Sequence, residues 1–276
     1  MKAYRRRTAI GLDNALLDRS RFGWTPVRAG ESGDLVYQRD DGRAFAKIAP
    51  VARSADLAGE RDRLAWLDGR GVACPEILDW REGEEGACLV MTAISGVPAA
   101  DLSGSDLLKA WPSMVRQLGI LHELPADQCP FDRSLSIMFE RAADVVARKA
   151  VNRDFLPDED MNTPARELLE RVERDLPTRF EQELIDRVVC HGDACMPNFM
   201  IDPESFQCTG LIDLGRLGTA DRYVDLALMV ANASESWASR EEEAEAFAIL
   251  FGTLGIQVPD KERLAFYLRL DPLTWG

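Results

Sequence analysis

Histidine is nearly missing from this chain: 276 residues contain two, His122 and His191. Cys190, His191, Asp193 and Cys195 crowd together in "CHGDACMPNF", but a structural zinc site wants a second ligand pair at short spacing, and none follows. A structural zinc ion is therefore not expected. Gly-x-Ser-x-Gly does not occur, which removes the nucleophile elbow of serine hydrolases. Neither Gly-x-Gly-x-x-Gly nor a Walker A loop is present. The longest uncharged stretch, "GACLVMTAISGVPAA", is shorter than a bilayer span and is broken by glycine and proline, so no membrane association is expected. The basic opening "MKAYRRRTAIGLDNALLD" meets Asp13 and Asp18 before its apolar part reaches the length of a signal sequence. The six cysteines sit at irregular spacings inside apolar runs, as reduced thiols do, and the cytoplasm is the expected compartment. Positive charge is also short: 33 Lys and Arg against 47 Asp and Glu give a net charge of −14. Nucleic acid phosphates would be repelled, whereas a cationic small molecule would be tolerated.

With 46% hydrophobic residues the chain can bury a large core. Its first third alternates strand patterns with turns. In "GESGDLVYQRDDGRAFAKIA", two strand-like runs flank an Asp-Gly hairpin signal. "SADLAGERDRLAWLDGRG" then reads as a helix opening at Ser54 and stopping at Gly69 or Gly71. "EILDW" and "ACLVMTAI" supply two more strands. Beyond "SGVPAADLSG" the pattern changes to amphipathic helices over 105–123, 134–149, 164–175, 221–233, 240–254 and 260–269, interrupted by the strand-like "RVVCHGD" and "CTGLIDLG". The expected fold is α+β with two lobes: a small β-rich N-lobe over 1–93, its residues 1–22 an extra segment, and a larger helical C-lobe over 94–276.

Phosphoryl transfer explains "CHGDACMPNF" best. It needs an aspartate that orients the accepting hydroxyl, oxygen ligands for Mg2+ and a cation on the nucleotide phosphates. In protein kinases the catalytic aspartate and a magnesium-binding asparagine stand five residues apart, as Asp193 and Asn198 do here. Further on, "LIDLG" places Asp213 at the end of an apolar run, the position of a second magnesium ligand. In the N-lobe, alternation puts Lys47 of "AFAKIA" on the inner side of its strand. Leu57, Glu60, Leu64 and Leu67 share one helix face. A charge on each buried face calls for an opposite charge, which pairs Lys47 with Glu60 beside the phosphates. Ser32 and Gly33 in "GESGD" could offer backbone amides to phosphate. The constellation predicts a protein-kinase-like fold acting on a nucleoside triphosphate, with ATP expected, although the sequence does not select ATP over GTP.

The residues that carry this reading resemble the aminoglycoside phosphotransferases. "CHGDACMPNFMID", "GLIDLGRLGTADRYVDLALM", Lys47 and Glu60 carry the likeness, with the closing "FYLRLDPLTWG". "ERDRLAWLDGRGVACPE", "GVPAADLSGSDLLKAWPSM" and "NRDFLPDEDMNTP" bring it nearest the streptomycin 3''-phosphotransferases, over residues 24–276. The resemblance implies Asp193 as catalytic residue, Asn198 and Asp213 as magnesium ligands, and Lys47 with Glu60 as the phosphate-binding pair. It also implies adenine held by the backbone of Thr92, Ala93 and Ile94, His191 and Asp225 bracing the catalytic loop, Arg216 paired with a nearby acid, and Cys190 and Cys195 as filler.

A streptomycin pocket implies carboxylates for the guanidinium groups of the drug. The candidates are Asp158, Glu159 and Asp160 in "LPDEDMN", Asp271, the terminal carboxylate of Gly276, and Asp193 against the reacting hydroxyl. A monomer with this one small-molecule partner, involved in antibiotic resistance, is expected. Kinases for choline, homoserine, fructosamine or macrolides use much of the same motif set, and an inactive nucleotide-binding scaffold is the alternative of another class. A protein kinase is disfavoured, because no Ala-Pro-Glu segment occurs.

Overall fold

The computed structural model describes residues 16–27 and 34–276. The chain forms two compact units, Met1–Ser95 with Thr209–Gly215, and Gly96–Cys208 with Arg216–Gly276. Among the described residues no helix is long and apolar enough to cross a membrane.

The first unit is built on an antiparallel sheet of β1 (Trp24–Val27), β2 (Leu35–Arg39), β3 (Ala44–Pro50), β4 (Ile77–Gly83) and β5 (Gly86–Thr92) in the order β1-β2-β3-β5-β4. The Asp-Gly hairpin forms as expected: Gly42 takes φ +71°, which a side chain would resist, and its N–H donates to the Arg39 carbonyl at 2.8 Å. Ala44, Ala46 and Ile48 of β3 point into a cluster with Trp24, Tyr37 and Cys88. Helix α1 (Ser54–Leu67) buries Leu57, Glu60, Leu64 and Leu67, the face its periodicity predicts. Ser54 is the first helical residue rather than the cap; its hydroxyl donates to the Pro50 carbonyl at 3.3 Å.

The second unit is mainly helical, with α2 (Gly104–His122), α3 (Leu135–Ala147), α4 (Ala165–Glu173), α5 (Leu176–Asp186), α6 (Tyr223–Ala233), α7 (Arg240–Thr253) and α8 (Lys261–Leu270). Two short pairings interrupt the helices: β6 (Val97–Pro98) with β8 (Phe199–Ile201), and β7 (Arg187–Cys190) with β10 (Gly218–Asp221), both antiparallel. Strand β9 (Cys208–Leu211) runs into the segment that belongs with the first unit, where the Leu211 N–H donates to the Ala73 carbonyl at 2.8 Å. Helix α2 buries Leu107, Trp111, Met114, Leu118 and Leu121 along one stripe, and the Trp111 indole N–H donates to the Ala246 carbonyl of α7 at 2.8 Å.

Seven of the described helices lie where the sequence pattern puts them, and α5 is the exception. Its polarity is inverted: Arg179 and Glu183 are buried, while Leu184 and Ile185 are 80% and 82% exposed. Glu183 is held inside by the Leu135 N–H, which donates to it at 2.8 Å at the start of α3. A helix whose polar residues face inward gives no apolar stripe for periodicity to detect.

Candidate active site

In the first unit, Lys47 sits on β3 between β2 and β5, opposite Val36 on one side and Leu89 on the other. Its Nζ lies 2.6 Å from Glu60 Oε1 and 2.8 Å from Asp213 Oδ1. Glu60 is 6% exposed, whereas the Asp213 side chain is 47% exposed. Burial pushes the Lys47 ammonium down, but the two carboxylates outweigh it and hold the pKa above its ordinary value. Burial raises Glu60 against the pull of Lys47, and Asp213 adds repulsion. Asp213 has φ +61°, a left-handed conformation that aspartate tolerates better than most residues and that clusters at functional turns. One ammonium thus gathers two carboxylates, one buried and one open to solvent.

The expected adenine-binding backbone narrows. The Thr92 N–H donates to the Glu76 carbonyl at 2.9 Å and the Ala93 N–H to the Arg43 carbonyl at 3.0 Å, so neither is available to a base. Ile94 is left to supply a backbone donor. Ser32 and Gly33 lie outside the described residues. Asp34, the first described residue after them, forms an ion pair with Arg53.

In the second unit the catalytic-loop candidate leaves β7 at Cys190. Gly192 takes φ +79°, and a Cβ there would lie 2.2 Å from the Arg216 carbonyl oxygen and 2.7 Å from Arg133 Nε. Only glycine fits. Asp225, on the first turn of α6 and fully buried, accepts the His191 N–H at 2.7 Å and the Gly192 N–H at 2.8 Å. His122 Nε2 meets the same carboxylate at 2.9 Å. Asn232, two turns along α6, accepts the Met196 N–H at 2.7 Å. These partners outweigh the cost of burial and hold Asp225 below the usual carboxylate range. One face of α6 therefore fixes the loop at both ends.

Asp193 sits at the centre of that loop. Its own N–H donates to His191 Nδ1 at 3.2 Å. Burial raises the carboxyl pKa; the charges of His191 and Arg216 and a hydrogen bond from the Cys195 thiol pull it back only in part. The Cys195 thiol lies against this carboxylate. The Asn198 Nδ2 donates to the Asp193 carbonyl at 2.8 Å, which orients the amide and leaves Oδ1 as its outward atom. An amide oxygen and the half-exposed Asp213 carboxylate are hard oxygen donors of the kind magnesium takes. By its own chemistry, each is a fitting ligand for that ion.

The acidic candidates separate. Asp158 and Glu159 are exposed, whereas Asp160 is paired with Arg171 at 2.9 Å. Asp271 is 8% exposed and turned inward: Arg216 Nη1 lies 3.3 Å from Oδ1, and the Trp275 indole N–H donates to Oδ2 at 3.0 Å. The Gly276 carbonyl oxygen accepts from Arg148 Nη2 at 3.5 Å. Arg216 finds the acid expected for it, and also lies 4.0 Å over the Trp275 ring, which meets Phe155 edge-on at 5.7 Å.

Sequence reasoning missed His122, Arg133 and Trp275. His122 and Asp225 are 103 residues apart, and no spacing rule connects them. His122, Cys190 and Asp225 converge within 4.8 Å. Asp225 is spent on the loop, and burial keeps the Cys190 thiol protonated by raising its pKa well above normal. His122 and Asp225 serve here as a hydrogen-bonded brace of the loop.

Comparison with known proteins agrees with this geometry. Residues 23–267 match the model of the phosphotransferase enzyme family. The chain is 50% identical over 253 residues to streptomycin 3''-kinase of Streptomyces griseus, covering 92% of this chain and 93% of the relative. It is 37% identical over 268 residues to an aminoglycoside 3'-phosphotransferase of Streptomyces fradiae, covering 90% and 94%. Among solved structures, the aminoglycoside phosphotransferase APH(3'')-Id of Streptomyces rimosus superposes with a TM-score of 0.91 at 45% identity, over 98% of each chain. The same enzyme in complex with ADP and streptomycin gives 0.90 at 44% identity, again over 98% of each chain. With nearly its whole length matched in sequence and in fold, this chain belongs to the phosphotransferase enzyme family.

Proposed function

We propose that the protein transfers the γ-phosphate of ATP to the 3''-hydroxyl of streptomycin, the reaction named for its half-identical relative, and so confers resistance to that antibiotic. The observation that carries this is the braced loop that presents Asp193 beside a fixed Asn198, in a chain half identical to a streptomycin kinase.

Phosphoryl transfer asks for positioning and charge neutralisation more than covalent work. Lys47, oriented by Glu60, places its ammonium on the nucleotide phosphates. Asp193 accepts a hydrogen bond from the sugar hydroxyl, aligns it for in-line attack and takes up its proton as the new bond forms. Asn198 and Asp213 would hold magnesium, which would neutralise charge on the phosphate oxygens. The backbone at Thr92, Ala93 and Ile94 faces the adenine, with Ile94 as the donor, and Ser32 and Gly33 cover the phosphates. Residues 1–93, with Ile94 and Asp213, serve the nucleotide, and the rest of 94–276 carries the loop and the drug.

The guanidinium groups of the drug meet carboxylates. Asp158 and Glu159 are the most open, Asp160 and Asp271 share their charges with Arg171 and Arg216, and the Gly276 carboxylate completes the set. The enzyme works as a cytoplasmic monomer. Purified protein incubated with MgATP and streptomycin should release ADP only when the drug is present, with the new phosphorus resonance coupled to the 3'' position. ADP release with another hydroxylated amine alone would transfer the reading to a different small-molecule kinase.

A further inference from the structure

Arg133 is the most poorly satisfied buried cation near the loop. It follows α2 in a segment that pairs with β10: its N–H donates to the Thr219 carbonyl at 3.1 Å, and the Thr219 N–H donates to the Phe131 carbonyl at 2.8 Å. Gly218 permits this approach, since a Cβ there would stand 3.0 Å from Arg133 Cβ and from the Phe131 carbonyl oxygen. The backbone of Arg133 is therefore fixed. Its side chain, 11% exposed, runs over Gly192, with Cδ 2.8 Å and Nε 2.7 Å from where a Cβ on Gly192 would be. Its head reaches Asp271, with Nη2 3.6 Å from Oδ1, an oxygen that Arg216 Nη1 also approaches, at 3.3 Å.

Two guanidinium groups thus share one carboxylate oxygen, which lies in ion-pair range of both and in hydrogen-bond geometry with neither. Arg133 Nε and Nη2, Arg216 Nη1 and Asp271 Oδ1 are all buried without a hydrogen-bond partner. Burial, and then repulsion from Arg216, lowers the Arg133 pKa to about 9 against the pull of Asp271 and Asp225. Buried donors left unpaired cost stability. Local rules broken at this expense mark functional sites more often than structural ones. What Arg133 touches is the glycine that precedes Asp193.

We infer that Arg133 is a positioning residue for the catalytic loop: its stem seats Gly192 while its charge ties that glycine to Asp271, fixing where Asp193 stands. This rests on Asp193 being the residue that aligns the hydroxyl. It assigns Arg133 no contact with drug or nucleotide. Lysine cannot replace it fully, because a single ammonium cannot lie along Gly192 and reach Asp271 as a planar fork does.

The test compares Arg133→Met, which keeps the stem and removes the charge, and Arg133→Lys with wild type, measuring kcat, KM for ATP and for streptomycin, and Tm. Expected for Arg133→Met is a kcat lowered on the order of 10- to 100-fold, the scale of a small misplacement of a reacting group, with KM for ATP unchanged and Tm equal or higher. Arg133→Lys should recover part of kcat. A purely structural role predicts instead that Tm falls and that the folded fraction keeps its kcat. Full kcat in either folded variant, or a kcat loss that only follows a loss of Tm, overturns the inference. Asp193→Asn run alongside separates the two readings: if it retains turnover the loop assignment itself falls, whereas an inactive Asp193→Asn beside a fully active Arg133→Met removes Arg133 alone.

Discussion

Asp225 accepts the amide hydrogen of Gly192 across 33 residues of sequence, at 2.8 Å and with both residues buried. That bond, with its companion from His191, converts a glycine-containing turn into a fixed mount for Asp193. The carboxylate is in turn held by His122, so a helix end, a strand end and the start of α6 meet at one group.

Asp225→Asn puts an amide donor where two backbone donors converge. We expect about 3 kcal/mol of lost stability, the usual scale for breaking a buried charged network, together with a loss of turnover, both measurable by urea titration and ADP release. The sign of the pH dependence follows from the depressed pKa of Asp225. Its contribution is complete above the unfolded value of about 3.9 and is lost as pH falls through the folded value. The gap in stability between wild type and variant should therefore shrink below about pH 4.

Asp193 behaves in the opposite sense. Burial raises its pKa, so the folded chain carries a penalty for the charged form at neutral pH, relieved as pH falls through the raised value. Asp193→Asn should raise Tm at pH 7, with the gain vanishing in acid, while turnover drops about 10²- to 10⁴-fold and ADP still binds. Thermal melts across pH and a nucleotide titration check both halves. An unchanged turnover would remove Asp193 from its role.

Lys47→Met leaves Glu60 buried beside Asp213 with no cation between them. Turnover should fall at least about 100-fold, with a higher KM for ATP, and Glu60→Gln should cost about tenfold. Because one contact joins the two residues, the double variant should lose less than the product of the single losses. Steady-state kinetics on the three proteins decides it.

Removing divalent cations with EDTA should abolish ADP release, and magnesium should restore it. Asn198→Ala and Asp213→Ala should each raise the magnesium concentration needed for half-maximal rate. A variant with normal magnesium dependence and lowered kcat would place that residue outside the metal site.

Much of this architecture was legible in the chain because its signals are local. Asp41-Gly42 specifies a hairpin through one positive φ, and the spacing of Leu57, Glu60, Leu64 and Leu67 specifies a buried face carrying one acid. Asp193 and Asn198 are joined through a turn that five residues span. Helix α5 was hidden because Arg179 and Glu183 take buried positions on it, and nothing in "TAI" shows which of its amides neighbouring segments use.

By itself, then, the sequence determined the elements, the lysine and glutamate on facing buried surfaces, and the order of the loop residues. All of these depend on periodicity or on contacts a few residues apart. Tertiary structure alone decided that His122 joins Asp225 in gripping the loop, that Arg133 lies on Gly192, and that Asp271 turns toward Arg216 and Trp275. Polar pairings between distant segments leave no period in a sequence, because each depends on where packing delivers two side chains.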